Sequence, residues 1–340
     1  MADNKKLDSR FKLLVVSLIL LLFILIIFSF GMGRYSISVY EIFDSIYKKA
    51  RNIPIENNTV EAILFHVRLP RIVFSILVGA ALSVAGACYQ GLFKNPLVSS
   101  DVIGASGGAA FGAALAILMG LSTAGISLFS FTWSIIAVLI VYMVGNTLKI
   151  NPILGLVLSG IMIGALFNSG LSFLKLVADP MDQLPQITYW LMGSLSGTKT
   201  KDIIPVSIIM AVAMIVLWSS RWHLNLLTFS DEEAITMGLN VKKLRLIVII
   251  QATLLTAASI AVSGVIGWIS LAVPHFARML SGSDYRRLLP LSMLIGSNFL
   301  LIVDNISRLT FSSEIPLGII TSLVGVPLFL FLLKREGRLY

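Results

Sequence analysis

Eight uncharged apolar runs dominate this 340-residue chain, and short clusters of basic residues separate them. A bilayer core needs about 20 apolar residues per helix, so each run can be read as one or two crossings. Leu13 to Gly33, Ile72 to Phe93, Ile150 to Leu174, Ile203 to Ser220, Leu288 to Val303 and Ile315 to Leu333 each suit one span. Val102 to Leu148 holds 47 residues without a charge, enough for two spans with a turn near Leu121–Gly125. Leu246 to Ala277 is 32 residues, awkward for one span or two. Its flanks decide: Lys242, Lys243 and Arg245 precede it, and Arg278, Arg286 and Arg287 follow. If both flanks are cytoplasmic, the run crosses twice and turns near Ser263-Gly264.

The expectation is therefore an all-α polytopic membrane protein of about ten spans with both termini inside. Sixteen of the 26 basic residues then fall on the cytoplasmic side. The net charge of +9 does not point to nucleic acid, because the cations sit between apolar runs as positive-inside loops do. The first run follows Lys5, Lys6, Arg10 and Lys12, is long for a signal sequence and lacks an A-x-A-like site, so it reads as a span. Gln183 to Thr198 is uncharged but short and contains Pro185 and two glutamines. It reads as an external helix or a partly embedded segment, since another crossing there would reverse everything downstream.

Motif chemistry excludes several function classes. One cysteine, Cys88, and three scattered histidines cannot form an intramolecular disulfide or a Cys/His zinc cluster. Gly193–Thr200 looks like a phosphate loop, but three residues rather than four separate its glycines and no strand precedes it. Acids in or beside the spans are few: Asp101, Asp179, Asp182, Asp304 and Glu314. That scarcity argues against an ion-coupled carrier. Asp304 and Arg308 have the spacing of a local helical ion pair, and Asp101 stands where it could cap a glycine-rich helix. Gly79/Ser83, Gly108/Gly112 and Gly160/Gly164 are small-x-x-x-small pairs that permit close helix packing. A faint echo relates Val84-Ala85-Gly86…Pro96 to Val262-Ser263-Gly264…Pro274, as an inverted repeat would.

Three stretches are more specific: Arg68-Leu69-Pro70-Arg71 leading to VGAALSVAGACYQGLFKNPL and IGASGGAAFG; SGVIGWI leading to Val273-Pro274-His275 and Arg278; and Glu233-Ala234-Ile235-Thr236-Met237-Gly238. Nearly the whole chain resembles the FecCD-type permeases of binding-protein-dependent ABC importers for iron chelates, haem and vitamin B12. The resemblance implies one permease domain over 1–340, with a cytoplasmic segment 1–12, a cytoplasmic loop 221–245 and a tail 334–340. It implies a prokaryotic cell membrane, a second permease subunit, two separate ATP-binding subunits, an extracytoplasmic binding protein, and no cofactor or covalent chemistry. Arg68, Arg71 and Arg308 match its docking positions for acids of the binding protein. Headgroup anchoring is the other reading of the first two.

Ser230 as N-cap with Glu233 in a capping box, then Ala234 and Gly238 as helix stop, reads as a capped helix above a Leu226-Leu227-Phe229 cluster. The resemblance makes it the helix that couples to the ATPase. It also implies an inner gate near Asn95, Pro96, Leu97 and, at the fifth span, Leu154 and Gly155. Pro96 and Pro152 support a helix break there. An iron chelate is the expected substrate, a corrinoid the nearest alternative, and a secondary transporter or a membrane enzyme the rivals from other classes.

Overall fold

The computed structural model describes residues 2–336 apart from Arg34, Glu56, Lys149, Phe311 and Ser312. The tail expected over 334–340 lies outside the described residues from 337 onward. The described helices, in chain order, are α1 (Ala2–Gly31), α2 (Val39–Ala50), α3 (Asn58–Glu61), α4 (Leu69–Leu92), α5 (Ala105–Leu118), α6 (Thr123–Thr147), α7 (Pro152–Val177), α8 (Gln183–Met192), α9 (Thr200–Ser219), α10 (Arg221–Leu226), α11 (Asp231–Thr236), α12 (Val241–Ser263), α13 (Ile269–Ser281), α14 (Tyr285–Leu309) and α15 (Leu317–Glu336). A π-helical stretch, Ala62–Arg68, runs into α4, and a 3₁₀ turn, Ser100–Ile103, precedes α5.

Seven described helices are long and apolar enough to cross a membrane, and two shorter ones are apolar, Ala105–Leu118 and Leu317–Phe331. With α13 these account for the ten expected spans. The turns fall where the runs predict. α5 stops at Leu118 and α6 starts behind its N-cap, Ser122. α12 ends at Ser263, and Gly264 takes φ +68°, a left-handed value that glycine adopts without strain. α8 has ten residues, about 15 Å of helix, and does not span.

One boundary differs from expectation. The second span is not confined to Ile72–Phe93: helical backbone begins at Asn58 and reaches Leu92 without interruption. Pro70 has no N–H to give the His66 carbonyl, so the preceding turn widens and Leu69 N bonds Leu64 O instead. The apolar-run criterion stopped at Arg71 because it treats a charge as a span end.

α4 is the centre of the bundle. Its best apolar window is 83% buried, against 6% for α1 and 17% for α9. α12, α13 and α14 pack around it. Lipid offers helices no hydrophobic reward for associating, so close backbone contact does the work. A Cβ on Gly79 would lie 2.2 Å from Gly296 O of α14, and a Cβ on Gly296 would lie 2.1 Å from Ser83 Oγ. Ser83 Oγ donates to Gly79 O at 2.7 Å, so the polar hydroxyl is satisfied inside its own helix. Gly108 and Gly112 seat α5 on α6, and Gly160 meets Val102 O, whereas a Cβ on Gly164 would point into open space.

The echo between the two Gly…Pro stretches has no structural counterpart. Gly86 lies inside α4 against Ser270, whereas Gly264 terminates α12. Pro96 stands in a turn, whereas Pro274 is inside α13.

Candidate functional site

The bundle has two polar faces, each defined by its side-chain hydrogen bonds and ion pairs. On one face lie the end of α4, the starts of α12 and α14, and the short helices α10 and α11. Ser230 caps α11 as expected: its Oγ accepts from Glu233 N at 3.2 Å, and Glu233 Oε2 accepts from Ser230 N at 2.9 Å. That backbone donor, then the Ser230 hydroxyl, holds the Glu233 carboxyl below the usual carboxylate range. Gly238 ends the segment at φ +82°. Ala234 is buried, but Ile235, Met237 and Phe229 are 60%, 52% and 46% exposed. The cluster expected beneath α11 is therefore only partly buried. Leu227 is inside with Leu224, and Phe229 points out. The loop also holds a helix the sequence reading passed over, α10. Asn225 Nδ2 donates to Asp284 Oδ1, and Tyr285 N donates to Asn225 Oδ1, both at 2.8 Å, fixing α10 to the start of α14. Partial burial works against ionisation of Asp284, but the Asn225 amide, the Arg286 N–H and the Arg286 charge outweigh it and hold the group below its ordinary value.

The expected gate residues sit on this same face. Asn95, Pro96 and Leu97 form an exposed turn after α4, and Asn95 Oδ1 accepts from Leu97 N at 2.9 Å. Asn151 caps α7 on Ile153 N and Leu154 N. Leu154 is 49% exposed, while Gly155 is buried against Gly145 O of α6. α7 meets the α4–α5 connection deeper in the bundle, where Gly160 packs on Val102. Asp101 does not cap α5. Its carboxylate accepts from the Ser106 hydroxyl, and Gly104 occupies the N-cap.

The opposite face carries the arginines. Arg71 Nε donates to Asp304 Oδ1 at 2.7 Å, and its Nη1 donates to both Glu314 oxygens at 2.8 Å. Arg308 Nε lies 3.3 Å from Asp304 Oδ2, and its Nη2 donates to Ser29 Oγ at 2.6 Å. Arg68 donates to the carbonyls of Phe30 and Tyr35. Arg68 and Arg71 are each only 4% exposed, so they lie recessed within the chain rather than on its surface. Three arginines against two carboxylates leave one positive charge in excess. The Asp304–Arg308 pair was legible from its spacing. Glu314 as partner of Arg71 was not, since 243 residues separate them.

The look-alike phosphate loop has a structural job on this face. Ser194 N donates to Ser263 O at 2.7 Å, and Leu317 N donates to Gly193 O at 2.9 Å. These bonds tie α8, the α12–α13 turn and the start of α15 together. α13 has 13 residues, about 20 Å, too short to cross alone. The irregular backbone ahead of it is buried in protein, as a membrane requires. Among the described residues no group of three or more His, Cys, Asp or Glu side chains could hold a metal ion.

A sequence profile of the FecCD transport family matches residues 20–335. The chain belongs to the FecCD transport family. It is a multi-pass permease subunit of the ABC type, without enzymatic chemistry of its own. Among FecCD relatives, the molybdate import system permease protein MolB of Haemophilus influenzae is 37% identical and covers 97% of this chain and 98% of its own. The hemin transport system permease protein HmuU of Yersinia pestis is 36% identical over 96% of each chain. A solved chain of a transporter assigned to the metal-chelate ABC type, in an inward-facing conformation, superposes with a TM-score of 0.85 at 35% identity. It covers 94% of this FecCD chain and 98% of its own.

Proposed function

We propose that this FecCD chain forms the membrane path of an ATP-driven importer for an iron chelate, a ferric siderophore or haem. The observation that carries the coupling half of this reading is α11. It is a capped helix that presents Ile235 and Met237 to water, and exposed apolar side chains on a polar face mark a protein interface. The occupant is an ATP-binding subunit, with Ser230, Glu233, Ala234 and Gly238 shaping the contact. The α11 face is then cytoplasmic, both termini lie inside, and the whole of 1–340 is one permease domain in a prokaryotic cell membrane.

A second copy or a paralogue completes the path along the exposed face of α7, which presents Leu158, Ile161, Met162 and Leu166. ATP closes the ATPase pair, α11 moves, and the turn at Asn95–Leu97 opens or closes against Leu154 and Gly155. On the outer face, the binding protein docks over Arg68, Arg71 and Arg308. Recessed arginines suit that role when the partner supplies carboxylates for the surplus charge, and Glu314, 35% exposed, is the internal acid they displace.

Substrate chemistry rests on relatives alone. The hemin permease supports a chelate. The molybdate permease favours a second reading, a small metal oxyanion, and a corrinoid remains the third. Uptake of labelled ferric siderophore, haem, molybdate and cobalamin, in cells with and without this gene, decides among them. Vanadate blocks the ATPases and an uncoupler collapses the proton gradient. Vanadate-sensitive loss of chelate or haem uptake is the expected result. Uptake that ignores vanadate and fails with the uncoupler overturns the ABC mechanism.

A further inference from the structure

The α4–α5 turn and α11 are joined by one side chain. Lys94 Nζ donates to Phe229 O at 2.5 Å and lies 3.6 Å from Asp231 Oδ1. Phe229 and Asp231 bracket Ser230, the N-cap of α11. Asp231 also accepts from Arg245 Nη2 of α12 at 3.1 and 3.2 Å, so α11 is held between two cations from two spans. Lys94 itself has φ +50°, a left-handed backbone that non-glycine residues rarely take. The surroundings hold it there: Lys94 N bonds Gly91 O at 3.2 Å and Asn95 N bonds Gln90 O at 3.0 Å. Gln90 is in turn fixed to α13, accepting from Arg278 Nη2 at 2.8 Å. The turn therefore moves with Lys94 as one piece.

We infer that Lys94 is the positioning residue that carries motion of α11 to the turn Asn95–Leu97. Its ammonium reaches across from the end of one span to the cap of the helix the ATPase would grip. A displacement of α11 pulls on the turn through a charge-assisted hydrogen bond to a backbone carbonyl, which a side-chain rotation at Phe229 cannot release. The inference rests on the proposed function above, and deepens it by naming the linkage.

The test uses the complete transporter, with ATPase and binding protein, in vesicles loaded with ATP. The measured quantity is substrate imported per ATP hydrolysed, for whichever of ferric siderophore, haem, molybdate or cobalamin the unaltered transporter imports. Lys94→Met is expected to leave the assembled complex and its ATP hydrolysis intact and to lower that ratio about tenfold, the scale of one lost charge-assisted hydrogen bond. Lys94→Arg, which can still donate to Phe229 O, is expected to restore most of it. If Lys94→Met disturbs assembly, Lys94→Gln is measured in its place. An unchanged ratio in an intact Met or Gln variant overturns the inference while the transport reading stands. An equal loss in Lys94→Arg also overturns it, since the linkage would then not be the donated bond. No vanadate-sensitive import by the unaltered transporter removes the transport reading, and the inference falls with it.

Discussion

Removing Asp304 is the most informative single perturbation of the face that carries the arginines. Its carboxylate is fully buried, 2.7 Å from Arg71 Nε and 3.3 Å from Arg308 Nε. Asp304→Ala leaves both guanidiniums in place with Glu314 as the remaining acid, and Glu314 is itself 35% exposed. Breaking one side of a buried pair costs about 3–5 kcal/mol, because the surviving charge stays desolvated. That is about two to three and a half decades in the folded-to-unfolded ratio. Titration of the purified chain from a mild detergent into dodecyl sulfate, followed by tryptophan fluorescence, reads this shift. The companion variant Arg71→Met/Asp304→Leu removes one of the two pairs together and leaves Arg308 with its bond to Ser29 Oγ at 2.6 Å, and is expected to recover part of the loss, since a well-packed apolar replacement spares one of the two orphaned charges. A cost below about 1 kcal/mol for Asp304→Ala, the range of solvated surface pairs, would refute the argument. It would mean water reaches these arginines, and that their recessed placement does not control their energetics.

Three other expectations follow from particular contacts. Glu314→Gln raises the surplus charge around Arg68, Arg71 and Arg308 from one to two, so the binding protein should dock several-fold more tightly in surface-resonance titration; unchanged or weaker docking counts against a partner carboxylate there. Gly79→Val drives side-chain atoms at the Gly296 carbonyl, which cannot rotate away. It should cost about 1–3 kcal/mol or more by the same detergent titration, with Ile76→Val as a control for mutation within α4. Glu233 has its carboxyl held below the ordinary range. A group depressed on folding adds stability that is present above its unfolded value of about 4.3 and is lost as pH falls through the lower folded value. Transport per ATP should therefore hold at pH 5 in the unaltered chain, and a fall between pH 6 and 5 that Glu233→Gln abolishes would contradict the cap.

Much of the architecture was legible because membrane insertion writes itself into long local patterns. The hairpin at Ser263-Gly264 followed from which flanks carry lysine and arginine, and α11 followed from Ser230, Glu233 and Gly238 within nine residues. What escaped the sequence depends on contacts between distant segments. The π-helical run before Pro70 is a backbone register change; Pro70 marks the missing donor, but a proline at that place reads equally well as the start of a helix. α10 is only six residues long and too short for an apolar period to declare itself. Arg71 and Glu314 are both visible as charges near span ends, yet only the folding of the loop before α15 over the start of α4 brings them together.

The same reasoning explains why the sequence does not disclose the state of the side chains in the segments that the resemblance singles out. The RLPR motif places two arginines one helical turn apart at the start of α4. A sequence reading takes cations at a span end to be in water. Here the helix does not end at Arg71 but continues back to Asn58, so the first turn of the apparent span is really the middle of a longer helix. Its arginines meet α1, α14 and the loop before α15 instead of solvent. A binding protein that uses them must therefore offer acids that reach inward and compete with Glu314. Docking and the integrity of this face are then the same set of ion pairs, and Arg71→Glu cannot separate them. It would set a third carboxylate beside Asp304 and Glu314 and damage the fold before it reported on docking. Glu314→Gln alters the charge balance while leaving every arginine in place, which makes it the variant that can tell the two roles apart.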